Sequence, residues 1–380
     1  MFKKSLRTVL AVPLTALTVV TMTACSSSMG ESEESAKWRE ATTLEEGGGM
    51  DALIEAAQAE GEFNTMGLYE DWANYGELLK VFGEKYDIKI NNDVSSGASQ
   101  DLINAVKNRK GQDNSLDYLD TGVGFAEKAA EEGLLATYAP ETVDDIDKDK
   151  QSESGTWYNH LGGNMAIGCD ATQVEVCPED WDDLLKPEYK GKVAMAGDPT
   201  SGEAGFMTVM AASLGNGGSL DDVQPGIDFF GELKKAGNFL PVAASAGTVE
   251  TNETPIVINW DYLLAQMARD LEPSGVDLQI ALPEKTVSSY YAASINDDAP
   301  HPAVARLWFE FLFSDEGQNL LLEGFVKPVR LQAMIDAGTV NQEALDALPE
   351  GSRKDYPQPS LEQRDELHPV MVEGWGKVMG

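Results

Sequence analysis

Three cysteines, three histidines and 28 lysines and arginines are few for 380 residues, and each shortage closes off a class of function. Cys25, Cys169 and Cys177 cannot supply a disulfide-built scaffold or a four-cysteine zinc module. His160, His301 and His368 stand singly, with no paired-histidine zinc helix, so no metal site is expected. Against the 28 basic residues stand 64 acidic ones, a formal net charge of −36, which repels nucleic acid and anionic lipid surfaces. Such a charge either coats the surface for solubility or favours cationic solutes nearby. No phosphate-binding P-loop, nucleophile elbow or cofactor motif occurs, so neither catalysis nor a cofactor is expected. With carboxylates this abundant, a pair of them singles out nothing. The fixed-period repeats and stacked sandwich strands of an adhesion protein are also missing.

What is present begins with an address. Lys3, Lys4 and Arg7 precede an apolar run over 9–22, and Met22-Thr23-Ala24-Cys25 ends in small residues before a cysteine. The pattern resembles a lipoprotein signal (1–24), with Cys25 as the lipid-modified first mature residue. The run is short for a membrane span, so a lipid anchor on the outer face of the cytoplasmic membrane is the expectation. That compartment permits disulfides, and the short separation of Cys169 and Cys177 suits a loop staple. Residues 25–49 are acidic and polar and end in three glycines, which reads as a flexible tether.

From residue 50 onward the pattern alternates. Strands near 63–68, 88–91 and 116–120 are each followed by a loop and an amphipathic helix; Tyr75, Leu78, Leu79 and Phe82 mark the face of the first. Three strand-loop-helix units imply a mainly parallel sheet, with the loops after the strands gathered at a binding crevice. The acidic run Asp144, Asp145, Asp147, Asp149 lacks the glycine and glutamate of a calcium loop and reads as a solvated linker. At 197–202, Gly-Asp-Pro-Thr-Ser-Gly opens a helix: Thr200 or Ser201 either caps it or faces a polar ligand beside free N–H groups.

The run Tyr158-Asn159, then Pro178-Glu179-Asp180-Trp181-Asp182-Asp183-Leu184-Leu185, Pro187-Glu188-Tyr189-Lys190-Gly191-Lys192-Val193 and Asp198-Pro199 resembles the middle of the extracellular solute-binding proteins of ABC importers. A later match runs through Tyr290-Tyr291, Asp298-Ala299-Pro300-His301-Pro302-Ala303, Ala305-Arg306-Leu307-Trp308 and Ser314-Asp315-Glu316-Gly317-Gln318. The likeness covers 50–330 and is narrowest to the branch of ferric-iron, thiamine, polyamine and aminoethylphosphonate binders. It implies an α/β, two-lobed periplasmic-binding-protein-like fold of type II with two hinge crossings. Lobe 1 is then 50–160, lobe 2 is 161–285, and 286–380 returns to lobe 1 with the C-terminal helices. It also implies a permease and its ATPase as partners, with the binder working as a monomer.

Candidate ligand residues follow from where strands end. Trp260 and Asp261 close an apolar strand, and an aromatic face beside a carboxylate suits a cationic amine; the alternative is a core tryptophan and a helix-capping aspartate. Asp71 and Trp72 could close the pocket from the opposite lobe. Ser96 and Thr121 sit in loops where helices begin and, with Thr200 and Ser201, suit carboxylate, phosphonate or phosphate. The expected solute is a small organic cation or zwitterion, polyamine-like or aminophosphonate-like. Ferric iron is the alternative, and a secreted hydrolase the second. Iron binders of this branch usually carry two adjacent tyrosines after the strand, where this chain has Asn259-Trp260-Asp261-Tyr262. Tyr290 and Tyr291 are adjacent, but in an extended segment they face opposite ways, so Tyr291 alone is expected to approach the cleft.

Overall fold

The computed structural model describes residues 32–380. The proposed signal sequence and Cys25 lie outside the described residues.

The chain enters through α1 (Glu33–Glu40), α2 (Leu44–Gly47) and α3 (Met50–Glu60). This corrects the tether expected over 25–49 for its described part. Trp38 is fully buried, and a Cβ on Gly47 would lie 1.9 Å from the indole, so glycine makes room for it. Arg306 then donates from Nε to Ala41 O (3.0 Å) and from Nη2 to Arg39 O (2.6 Å). A window averaging over many polar residues hides one anchoring tryptophan.

Lobe 1 continues with β1 (Glu62–Met66), α4 (Tyr75–Tyr86), β2 (Lys89–Asp93), α5 (Ser99–Asn108), β3 (Tyr118–Gly122) and α6 (Val123–Glu131). The three expected strand-loop-helix units are present, but their strands do not form one parallel sheet: β1 and β2 make a two-stranded sheet of their own, and β3 joins a larger one. β1 pairs in parallel with β2, whereas β3 runs antiparallel to a late strand. Lobe 2 contains β5 (Val193–Met195), α7 (Glu203–Gly215), α8 (Gln224–Ala236), β6 (Phe239–Ala243), α9 (Ala246–Glu250), β7 (Ile256–Trp260), α10 (Asp261–Leu271) and β8 (Leu278–Ala281). There β5 pairs in parallel with both β6 and β7.

The two lobes share one strand. The first part of β4 (Trp157–Asp170) pairs with β9 (Ser288–Ile295), and it pairs with β7 from Met165 and with β8 from Ile167. The chain therefore crosses to lobe 2 inside β4 and returns just before β9. At the return, Met165 N donates to Val287 O (3.0 Å) and Thr286 Oγ1 to Met165 O (2.7 Å). The Cys169–Cys177 disulfide closes the loop after β4, with Cα atoms 5.8 Å apart.

After β9 come α11 (Pro302–Phe313), α12 (Asp315–Glu323), β10 (Lys327–Pro328), α13 (Leu331–Ala337) and α14 (Gln342–Asp346). Pro302 opens α11, whose free N–H groups at Ala303 and Val304 donate to the Glu60 carboxylate. Ser314 caps α12 through Gly317 N (3.1 Å). In the lobe 1 core Trp308 meets the rings of Phe63 and Phe82, each at 5.1 Å.

The last helix, α15 (Leu361–Met379), corrects a second expectation. Only its first turns touch lobe 1, where Leu361 packs on Gly124 and Asp365 accepts from Lys128; the rest of the helix packs on lobe 2. Its Trp375 ring lies 5.4 Å from Phe230 and 6.1 Å from Phe239, and Gly374 lets Ile227 approach, all in lobe 2. Residues 352–357 run beside the two expected crossings, with Ser288 N donating to Pro357 O and Tyr356 N to Ser288 Oγ (2.8 Å). A third link between the lobes results. Its polar helix pattern carried no signal of which lobe it covers.

Candidate functional site: the interlobe cavity

Three helices open on a cavity of about 550 Å³ between the lobes. The starts of α5 (Ser99, Gln100) and α6 (Gly124, Phe125) form one wall, Pro199, Ser201, Gly202 and Glu203 at the start of α7 the other, and Ser289 and Tyr291 of β9 lie between them. Leu361, Arg364, Asp365 and His368 of α15 complete the wall. The N-cap residues are Ala98, Gly122 and Gly202, and no side chain caps any of the three. Their first N–H groups and positive dipole ends are thus free to meet an anionic or polar group. The question left open at 197–202 resolves against capping: Thr200 N and Oγ1 donate to Asp198 Oδ1 (2.8 and 2.7 Å), holding the turn itself.

Behind Tyr291 lies an aromatic and acidic cluster. The Trp72 ring stacks on Tyr75 (5.4 Å, 22°) and meets Tyr291 edge-on at 5.0 Å. The Tyr75 hydroxyl donates to Asp120 Oδ2 and lies 2.8 Å from His160 Nε2, whose ring donates from Nδ1 to Tyr291 O (3.1 Å). Among the described residues, Asp120 Oδ1 and the Tyr262 hydroxyl are buried without a hydrogen bond of normal geometry. Burial pushes the Tyr75 and Tyr262 phenols well above the usual range, and Tyr291 rises for the same reason with Glu203 adding to it. These hydroxyls keep their protons at neutral pH unless a cation displaces them. No three His, Cys, Asp or Glu side chains of the described residues cluster as metal ligands, so any such cation would need the phenols.

Of the residues expected at the site, Ser201 and Tyr291 line the cavity, and Trp72 packs against Tyr291. Asp71 is exposed, its backbone O accepting from Gln266 Nε2 across the lobes. Ser96 is half-buried and donates to Asp101 Oδ2 (2.6 Å), and Thr121 is buried beside Gly122, which does line the wall. Trp260 and Asp261 are the main correction. Both are buried; Asp261 Oδ1 accepts from Asn164 N and Tyr262 N (both 2.9 Å), and Oδ2 from Asn164 Nδ2 (3.1 Å). Asn164 is the residue at which β4 changes lobes, so Asp261 binds the hinge rather than facing the cleft. A carboxylate at the end of a strand and the start of a helix has two places to turn, and spacing does not distinguish them. Arg364, His368, Lys128 and Glu203 escaped notice because their wall assembles from segments far apart in sequence.

The sequence model of the bacterial extracellular solute-binding protein family matches residues 119–357. An uncharacterized protein of Haemophilus influenzae is 27% identical over 260 residues, covering 63% of this chain and 70% of its own. Among solved structures, the spermidine/putrescine substrate-binding protein PotD of Streptococcus pneumoniae superposes with a TM-score of 0.64 at 18% identity, covering 84% of this chain and 99% of that one. An iron- and citrate-bound protein of Trichodesmium gives 0.59 at 19% identity, with coverage of 84% and 99%. No described helix is long and apolar enough to cross a membrane. The two α/β lobes are those of the type II periplasmic-binding-protein fold. The chain belongs to the bacterial extracellular solute-binding protein family, the cargo-capturing components of ABC importers.

Proposed function

We propose that this chain captures ferric iron, accompanied by a small carboxylate or phosphate anion, between its lobes and delivers it to a membrane permease driven by an ATPase. The observation that carries this reading is the gathering of Tyr75, Tyr262, Tyr291 and the unpaired oxygen of Asp120 behind a cavity ringed by three uncapped helix starts. Phenolate and carboxylate oxygens are hard ligands suited to ferric iron, and helix starts suit its anion. The Trichodesmium protein, described with iron and citrate, supports the choice. The amine reading loses its carboxylate, because Asp261 serves the hinge. Hinge closure over the cargo is the mechanism: contacts from both lobes favour the closed form. We further propose that the protein acts as a monomer tethered outside the cytoplasmic membrane through lipid on Cys25, which mass spectrometry of the mature N-terminus tests.

Titration with ferric citrate tests the cargo. Iron bound by tyrosinate should develop a visible charge-transfer absorption that Tyr291→Phe diminishes. Ligand at a hundred times its Kd should add about 2.7 kcal/mol to unfolding stability. Absence of both colour and stabilisation sinks the iron reading. The helix starts favour a second reading, an anionic organic solute without metal. Stabilisation by citrate or a sugar phosphate in iron-free buffer, with no colour under iron, would establish it.

A further inference from the structure

We propose that α15 completes the solute site and that Arg364 is a specificity-determining residue for the anionic group of the solute. The inference rests on the interlobe cavity being the solute site, whether the anion comes as an iron chelate or alone. The helix begins after residues 119–357, the span that the family model matches. It is held at both ends. Ser360 caps the first turn in a reciprocal pair with Gln363, Leu361 packs where only a glycine, Gly124, leaves room, and Trp375 anchors the far end in lobe 2. Between these anchors the helix touches both cavity walls. Asp365 accepts from Lys128 of α6 (3.3 Å), and His368 Nε2 lies 3.0 Å from Thr200 O in the turn before α7.

Arg364 lies where these walls meet. Besides the interlobe cavity it lines a second space of about 460 Å³, whose lining includes residues 355–361. Its side chain is only 18% exposed and pairs through Nη1 with Glu203, the first residue of α7. Its Nε donates to Pro359 O (3.4 Å). The Glu203 carboxylate thus stands at an uncapped helix start and against a guanidinium, which is the place a ligand carboxylate or phosphate would take. A guanidinium has five donors in a planar fork. An incoming anion competes with Glu203 for that fork and for the α7 N–H groups, while a neutral or cationic solute gains nothing there.

Isothermal titration of the full-length protein with citrate in iron-free buffer, with ferric citrate and with inorganic phosphate tests this. Arg364→Gln should bind whichever of these the wild type binds at least tenfold more weakly, and Arg364→Lys should fall between. Lys377→Gln, on the exposed far turn of the same helix, should bind as wild type. Glu203→Gln breaks the same ion pair but frees the guanidinium, so it should bind the anion as tightly or tighter. Arg364→Gln with wild-type affinity overturns the inference. So does equal weakening by Arg364→Gln and Glu203→Gln, which would mean the pair only braces the wall. If the wild type binds none of the three, the reading of the cavity itself fails and this inference with it.

Discussion

Replacing Asp261 separates a hinge residue from a ligand residue, because the two roles predict effects on different quantities. In the folded protein its carboxylate accepts three hydrogen bonds at 2.9–3.1 Å from buried donors on Asn164 and Tyr262. Asp261→Ala strands those donors, each at about 1–3 kcal/mol; after partial relaxation, about 3–6 kcal/mol of stability should be lost. Asp261→Asn keeps one accepting oxygen but sets an NH2 against the Asn164 NH2, at about 1.5–3 kcal/mol. Urea unfolding of ligand-free protein should show both losses as a lower midpoint with unchanged slope. The pH dependence has a definite sign. Burial raises the pKa of Asp261, so the wild type holds this proton more tightly folded than unfolded. Its associated stability is full below the ordinary aspartate range and lost as pH rises through the folded pKa. The gap between wild type and Asp261→Asn should therefore narrow with rising pH. An Asp261→Asn protein that unfolds like wild type but loses tenfold or more in solute affinity would refute the hinge assignment.

Two further outcomes are expected. Trp38→Ala should cost about 3–5 kcal/mol in the same unfolding experiment, since it empties a fully buried site between α1 and Gly47; a change below about 0.5 kcal/mol would restore the view of this segment as a loose tether. Asp355 receives hydrogen bonds from Lys327 (2.5 Å), Lys150 (3.1 Å) and Tyr290. Burial works against its ionisation, yet Lys327, Tyr290 and Lys150 together hold its pKa down at about 2. A depressed carboxyl contributes stability that is present above its unfolded value and lost as pH falls. Wild type should lose more stability than Asp355→Asn between about pH 4 and 2, and parallel curves in acid titrations would dismiss this strut.

Local pattern carried most of the architecture. The core face of α4, the proline opening α11, the serine capping α12 and the buried strand β7 all follow from spacing and end chemistry that act within a few residues. The two lobes and the disulfide were legible as well. What escaped depends on partners distant in sequence. β3 reads like another parallel strand until β9 arrives beside it in the opposite sense. Asp261 reads like a cleft carboxylate until Asn164 is known to sit against it. The polar first turns of α15 gave no sign that Arg364 would meet Glu203, because an ion pair between helices leaves no periodicity in either.

The return of the chain to lobe 1 also bears on how fast the protein can fold. Arg306 fastens Arg39 across 267 positions, and β3 finds its neighbour only in β9, so the first lobe cannot close until nearly all of the chain is available. Contacts this remote slow folding through the entropy of closing long loops. The polypeptide consequently takes longer to reach its folded state than one of the same size built from local contacts.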